Sequence, residues 1–251
     1  MKPTIIANWK MNPQTLAEAK DIFQSIKKSA LKLNQPVVIC PPFLFIESLA
    51  KLRAPKITLG AQDLFWEFEG AYTGEISGLQ IREAGAKYAI IGHSERRRLG
   101  DSDEIINKKL NAALKSGLKP ILCIGESKRD EAGNYLHFIR KQLELDLNGV
   151  SKSDLVNTII AYEPIWAISK NAKREAMPEE CREIVIFIKK VLADMFGRKP
   201  MEKVKIIYGG SVNEKNARDY LTVGRADGLL VGRESLKPEK FNEILKAIAK
   251  H

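Results

Sequence analysis

Short, unbroken runs of β-branched and apolar residues recur along this chain, near 4 to 8, 36 to 40, 57 to 61, 87 to 91, 119 to 123, 158 to 162, 204 to 208 and 227 to 231. A strand covered on both faces requires that kind of run, with no polar alternation. Between most of the runs the spacing changes. Leu16, Ala19, Phe23, Ile26 and Ala30 step by three or four, which lines one face of a helix. Asn12 and Pro13 predict its N-cap and first turn. Further along, Pro178 opens a segment rich in Glu, Ile184, Phe187, Ile188, Val191 and Leu192 fall on one side of it, and Gly197 stops it.

Buried strands alternating with amphipathic helices imply parallel strands joined by crossovers, because a tight turn cannot connect parallel neighbours. Eight such units predict an α/β fold of the (β/α)8-barrel type, eight parallel strands surrounded by helices. An open doubly wound sheet is the alternative, but the first strand-to-helix junction, Ala-Asn-Trp-Lys-Met-Asn at 7 to 12, has no glycine-rich dinucleotide fingerprint. No linker, low-complexity tract or composition break interrupts the sequence, which predicts one barrel domain over 1–251.

Composition narrows the partners. The 41 Lys and Arg against 31 Asp and Glu leave a formal charge of +10, which raises nucleic acid, membrane surface and anionic substrates together. Basic pairs at Lys27-Lys28, Lys108-Lys109, Lys189-Lys190 and Arg198-Lys199 are scattered over helix faces and form no single stripe with interleaved aromatics. That pattern predicts solvated surface charge, with neither nucleic acid nor membrane as a partner. Cys40, Cys123 and Cys181 sit far apart in mostly apolar contexts, which predicts reduced packing residues, no metal site and a cytoplasmic protein.

In a barrel the reacting groups come from the carboxyl ends of the strands, so the polar residues just after each run are the candidates. They are Asn8 and Lys10, Gln62, His93, Glu126, Glu163, Gly209-Gly210-Ser211 and Gly232. His93 precedes Ser94 and Glu95, which suit a helix start, and a helix N-terminus beside the ring favours neutral imidazole. Glu163 emerges from an apolar strand and is followed by Pro164, so it is a partly desolvated carboxylate suited to a base. Lys10 could stabilise a phosphate or a developing oxyanion. Each has an ordinary reading as well: a satisfied structural histidine, a strand-end acid paired with a cation, a solvated lysine, glycines that mark turns.

Seven ordered segments carry a resemblance. Ala-Asn-Trp-Lys-Met-Asn at 7 to 12, Gly-Ala-Gln-Asp at 60 to 63, Gly-Ala-Tyr-Thr-Gly-Glu-Ile-Ser at 70 to 77, Ile-Gly-His-Ser-Glu-Arg-Arg at 91 to 97, Cys-Ile-Gly-Glu at 123 to 126, Ala-Tyr-Glu-Pro-Ile-Trp-Ala-Ile at 161 to 168 and Tyr-Gly-Gly-Ser-Val at 208 to 212 resemble the triosephosphate isomerase family. The resemblance implies cofactor-independent interconversion of dihydroxyacetone phosphate and D-glyceraldehyde 3-phosphate through an enediol or enediolate. By the same resemblance Glu163 is the base, His93 the electrophile, and Lys10 and Glu95 complete the catalytic group. Asn8, Trp9, Lys10, Ser169, Ser211, Gly232 and Arg233 are the implied substrate contacts. The segment around Thr73 implies a homodimer. This sequence departs from the family pattern at 169 to 176, where a glycine-rich lid tip is replaced and lengthened by about two residues, and at Arg233, which stands in a usual glycine pair. Another phosphosugar enzyme or a catalytically silent barrel remain as competing expectations.

Overall fold

Eight strands form where the apolar runs lie, in a computed structural model that describes residues 2–168 and 172–249. They are β1 (Thr4–Asn8), β2 (Val37–Cys40), β3 (Ile57–Ala61), β4 (Ala86–Ile91), β5 (Lys119–Ile124), β6 (Ile159–Tyr162), β7 (Lys205–Tyr208) and β8 (Gly228–Val231). Each pairs in parallel with its neighbour in sequence, and β8 returns to β1 with Thr4 opposite Gly228 and Ala7 opposite Val231, so the sheet closes into the expected barrel.

Closure divides every strand between two cores. Ile6, Val38, Ile90, Ile121, Cys123, Ile159, Ile207 and Leu230 pack together inside the barrel. Their neighbours Ile5, Ala7, Ile39, Ile91, Leu122, Ile160, Tyr162 and Leu229 face outward into the layer shared with the helices. Side chains alternate with a period of two, so the inward positions at the strand ends fall on Asn8, Glu163, Gly209 and Gly232. The carboxyl end of the barrel thus receives these four residues by parity.

The helices form the outer ring. Leu16–Lys32 buries Ala19, Ile22, Phe23, Ile26 and Ala30, the predicted stripe with Ile22 added and Leu16 only partly buried at its start. Its cap is Thr15 rather than Asn12: the Thr15 hydroxyl accepts from Glu18 N–H at 3.2 Å, and its carbonyl takes the first helical bond from Ala19 N–H. Asn12 and Pro13 belong to the approach. Pro178–Phe196 starts as expected, with the Glu180 carboxylate accepting from Met177 N–H at 2.7 Å. Gly197, at φ 88°, ends it. No helix among the described residues is long and apolar enough to cross a membrane.

The seam between β1 and β8 tolerates no side chain at Gly228, where a Cβ would stand 2.0 Å from the Thr4 carbonyl oxygen. Relief would require the two strands to part at the point that closes the barrel. Gly228→Ala should therefore destabilise the fold by about 3 kcal/mol or more, read as a lowered denaturant midpoint at unchanged slope.

Candidate active site

At the end of β4 the chain turns through Gly92, at φ 71°, and enters the short helix Ser94–Arg98 with His93 as its N-cap. A β-carbon on Gly92 would crowd the Cys123 carbonyl and Ile106. Arg97 braces the turn from behind, its Nε donating to the Gly92 carbonyl at 2.8 Å and its Nη2 to the Cys123 carbonyl and Asp146. Two donors are thereby presented to Glu163. Ser94 N–H reaches its Oε2 at 2.9 Å, and His93 Nε2 lies 3.0 Å from its Oε1.

Glu163 is 2% exposed, so its charge has to be met inside the protein. Burial pushes the carboxyl pKa up, but His93 and the Ser94 N–H outweigh it and hold the group below its ordinary value. On His93, burial opposes a positive charge, while the adjacent Glu163 favours one and raises the pKa of the ring. The other nitrogen decides the proton's place: Nδ1 accepts from Glu95 N–H at 3.2 Å, and an imidazolium has no lone pair to accept with. We assign neutral His93 with its proton on Nε2, beside an ionised Glu163.

Lys10 follows β1 with φ 54°, a left-handed conformation that disfavours any residue with a β-carbon. Two side chains hold it there. Asn8 Oδ1 accepts from Lys10 N–H at 3.0 Å, and Gln62 Nε2 donates to the Lys10 carbonyl at 2.7 Å. From that bend the ammonium runs toward the barrel mouth and meets Glu95 Oε1 at 2.8 Å.

One cavity of about 480 Å³ at the carboxyl end of the barrel collects Asn8, Lys10, His93, Glu95, Glu163, Ser211, Gly232 and Arg233. Gly209 leaves Glu163 uncrowded beside it, because a β-carbon there would approach Glu163 Cγ to 3.2 Å. Trp9, expected at the substrate, does not line the cavity: it is fully buried in the outer core, as outward parity after Ala7 and inward Asn8 demands. Ser169 lies outside the described residues.

The triosephosphate isomerase family model matches residues 3–248 of this chain. The chain belongs to the triosephosphate isomerase family. Triosephosphate isomerases of Alkaliphilus oremlandii and Thermoanaerobacter pseudethanolicus are similar at 42% and 40% identity, each over 97% of this chain and 98% of theirs. The crystal structure of triosephosphate isomerase from Bartonella henselae superposes with a TM-score of 0.83 at 34% identity, covering 98% of this chain and 99% of that one. As a triosephosphate isomerase the protein interconverts dihydroxyacetone phosphate and D-glyceraldehyde 3-phosphate, a step of glycolysis and gluconeogenesis. The competing expectations of a different phosphosugar enzyme or a silent barrel fall away with that membership.

Three supports of the isomerase site had no role legible in the sequence. Ser94 acts through its backbone N–H, which any residue but proline could supply. Gln62 and Glu126 stood among the strand-end polar residues without a role. Buried Glu126 accepts from Tyr162 OH at 2.9 Å and from Trp166 Nε1 at 2.7 Å, tying the chain beyond Glu163 to β5 and β6. Gly125 lets this happen: a Cβ there would lie 1.7 Å from the Glu163 carbonyl oxygen.

The pKa of Glu163 is depressed below the free side-chain value of 4.5, so folding favours its ionised form. Its contribution is present above that value and is lost as pH falls through the folded-state pKa. The unfolding free energy of the wild type relative to Glu163→Gln should accordingly decline as pH falls from above 4.5 through the depressed folded-state pKa. Urea midpoints across that range measure it; a flat difference would mean that the carboxylate is not held as described.

Proposed function

We propose that Glu163 is the base of the isomerisation and His93 the electrophile. The observation that carries this reading is the meeting of Glu163, His93 and Lys10, from three separate strand ends, in one cavity of a size for a triose phosphate. Glu163 leaves the Ser94 N–H, takes a proton from the carbon beside the substrate carbonyl, and returns it to the adjacent carbon. His93 Nε2–H donates to the oxygens while the intermediate is an enediol or enediolate. Lys10 supplies positive charge to the same oxygens and to the phosphate.

Phosphate fits the opposite wall, where the chain at Ser211 and at Gly232-Arg233 offers backbone N–H groups near the ends of β7 and β8. Glu95 restrains the ammonium through the 2.8 Å ion pair and, through its N–H, fixes the tautomer of His93. Asn8 restrains Lys10 by its backbone. The chain beyond Trp166 belongs to a segment that covers the bound substrate and excludes water.

The working form in this reading is a cytoplasmic homodimer. Free, buried Cys40, Cys123 and Cys181 suit a reducing compartment. A second cavity of about 470 Å³ adjoins the first and shares Asn8, Lys10, His93 and Glu95 with it. Its rim carries the exposed side chains of Met11 and Leu99, at 84% and 74% exposure, which a second copy would cover. The exposed loop around Thr73 is the segment we assign to that cavity on the partner.

Turnover of both triose phosphates by the purified protein, with Glu163→Gln beside it, tests the catalytic assignment. Loss of the base should lower kcat by about 10² to 10⁴-fold with a far smaller change in KM. An unimpaired variant would remove Glu163 from the reaction. For the assembly, sedimentation should give a dimer for the wild type and a monomer with reduced turnover for Thr73→Arg; a wild-type monomer with full activity would end the dimer reading.

A further inference from the structure

The segment that departs most from the family pattern carries a cation with unusual partners. Arg174 places both terminal nitrogens on Glu180, at 2.8 and 2.7 Å, in a bidentate pair. The same guanidinium lies over the Trp166 ring, 4.8 Å from its centroid. Trp166 in turn donates to Glu126, and Ile165 N–H donates to the Glu126 carbonyl at 3.1 Å. Glu163, Pro164, Ile165 and Trp166 are consecutive, so whatever fixes the indole also fixes the backbone that carries the base.

Glu180 is a firm anchor. It caps the helix Pro178–Phe196 through Met177 N–H, and its pKa is lowered first by the hydrogen bonds from Arg174. Just beyond Arg174 the chain is tied down again, with the Ala176 carbonyl accepting from Tyr220 OH at 2.6 Å. The Tyr220 ring is stacked on Tyr208 at 3.8 Å. Arg174 therefore bridges a segment fastened to the helix and a turn that has to move when Glu163 leaves Ser94. In the form described here the base is still docked on Ser94, and the Arg174 clamp is closed on the same form.

We propose that Arg174 is a positioning residue for the isomerisation: held by Glu180 and laid over Trp166, it stabilises the resting position of the Glu163–Trp166 turn and opposes the shift to the substrate-bound form. This rests on the assignment of Glu163 as the base. A ligand that selects a less populated form binds more weakly by the factor of that population, so releasing the clamp strengthens binding. The clamp is largely exposed, and a bidentate pair plus a cation–π contact at such a site together correspond to about a fivefold effect.

The experiment compares wild type, Arg174→Ala, Arg174→Lys and Trp166→Phe. It reads KM and kcat for both triose phosphates, the Kd of 2-phosphoglycolate as an anionic mimic of the enediolate, and tryptophan emission without ligand. Arg174→Ala should lower KM and the Kd of the mimic by about fivefold with kcat within about twofold, and should shift the emission that Trp166→Phe removes. Lysine keeps the charge but not the planar fork, so Arg174→Lys should follow alanine. Unchanged KM and Kd in Arg174→Ala would overturn the proposal, even with a lowered melting temperature, as would wild-type values in Arg174→Lys. Should Glu163→Gln retain full turnover, the assignment of the base fails instead, and the emission shift still reports whether Arg174 holds Trp166.

Discussion

A carboxylate with 2% exposure at the end of β6 is the constraint around which this end of the barrel is built. An ionised group so deeply buried is tolerable only with donors fixed beside it. Ser94 N–H and His93 Nε2–H are those donors, and they exist in that place because a helix begins there. The helix begins there because Gly92 turns the chain and Arg97 ties the turn to β5 and to Asp146. Gly125 lacks a side chain for the same reason, since a β-carbon there would collide with the Glu163 backbone, and one on Gly209 would crowd its Cγ.

Burial and reactivity are set by one arrangement. Two hydrogen bonds keep Glu163 ionised at rest, and in the proposed reaction both are exchanged for contact with a substrate carbon before a proton moves. Lys10 and Glu95 are kept close enough to pair, so the ammonium is pre-positioned and the site carries less net charge at rest. His93 stays neutral by accepting at Nδ1, which leaves a single N–H, at rest beside Glu163, for the electrophile's part proposed for it.

Strand positions were legible because parallel strands buried on both faces leave a composition signal that needs no partner to be recognised. Parity then carried Asn8, Glu163 and Gly232 into the mouth of the barrel. The errors have local causes. Asn12-Pro13 offers the same capping grammar as Thr15, and only the course of the backbone chooses between them. Trp9 sits within a functional motif whose alternate residues serve packing, so the motif marked it without distinguishing its face. Ser94 contributes a main-chain atom, and Arg174 meets Trp166 and Glu180 through a fold of the chain that has no periodicity, so neither left a trace in residue type.

Position 10 shows how stability and activity can be set against each other within one residue. A left-handed backbone at a residue with a β-carbon costs about 1 kcal/mol or more, and Asn8 and Gln62 are committed to sustaining it. Glycine would relax that bend and make the barrel easier to fold, while deleting the ammonium. Given the catalytic part proposed for Lys10, selection for thermal resistance alone would tend to remove it, and hardening this scaffold without loss of turnover would mean leaving the first strand-end turn as it is.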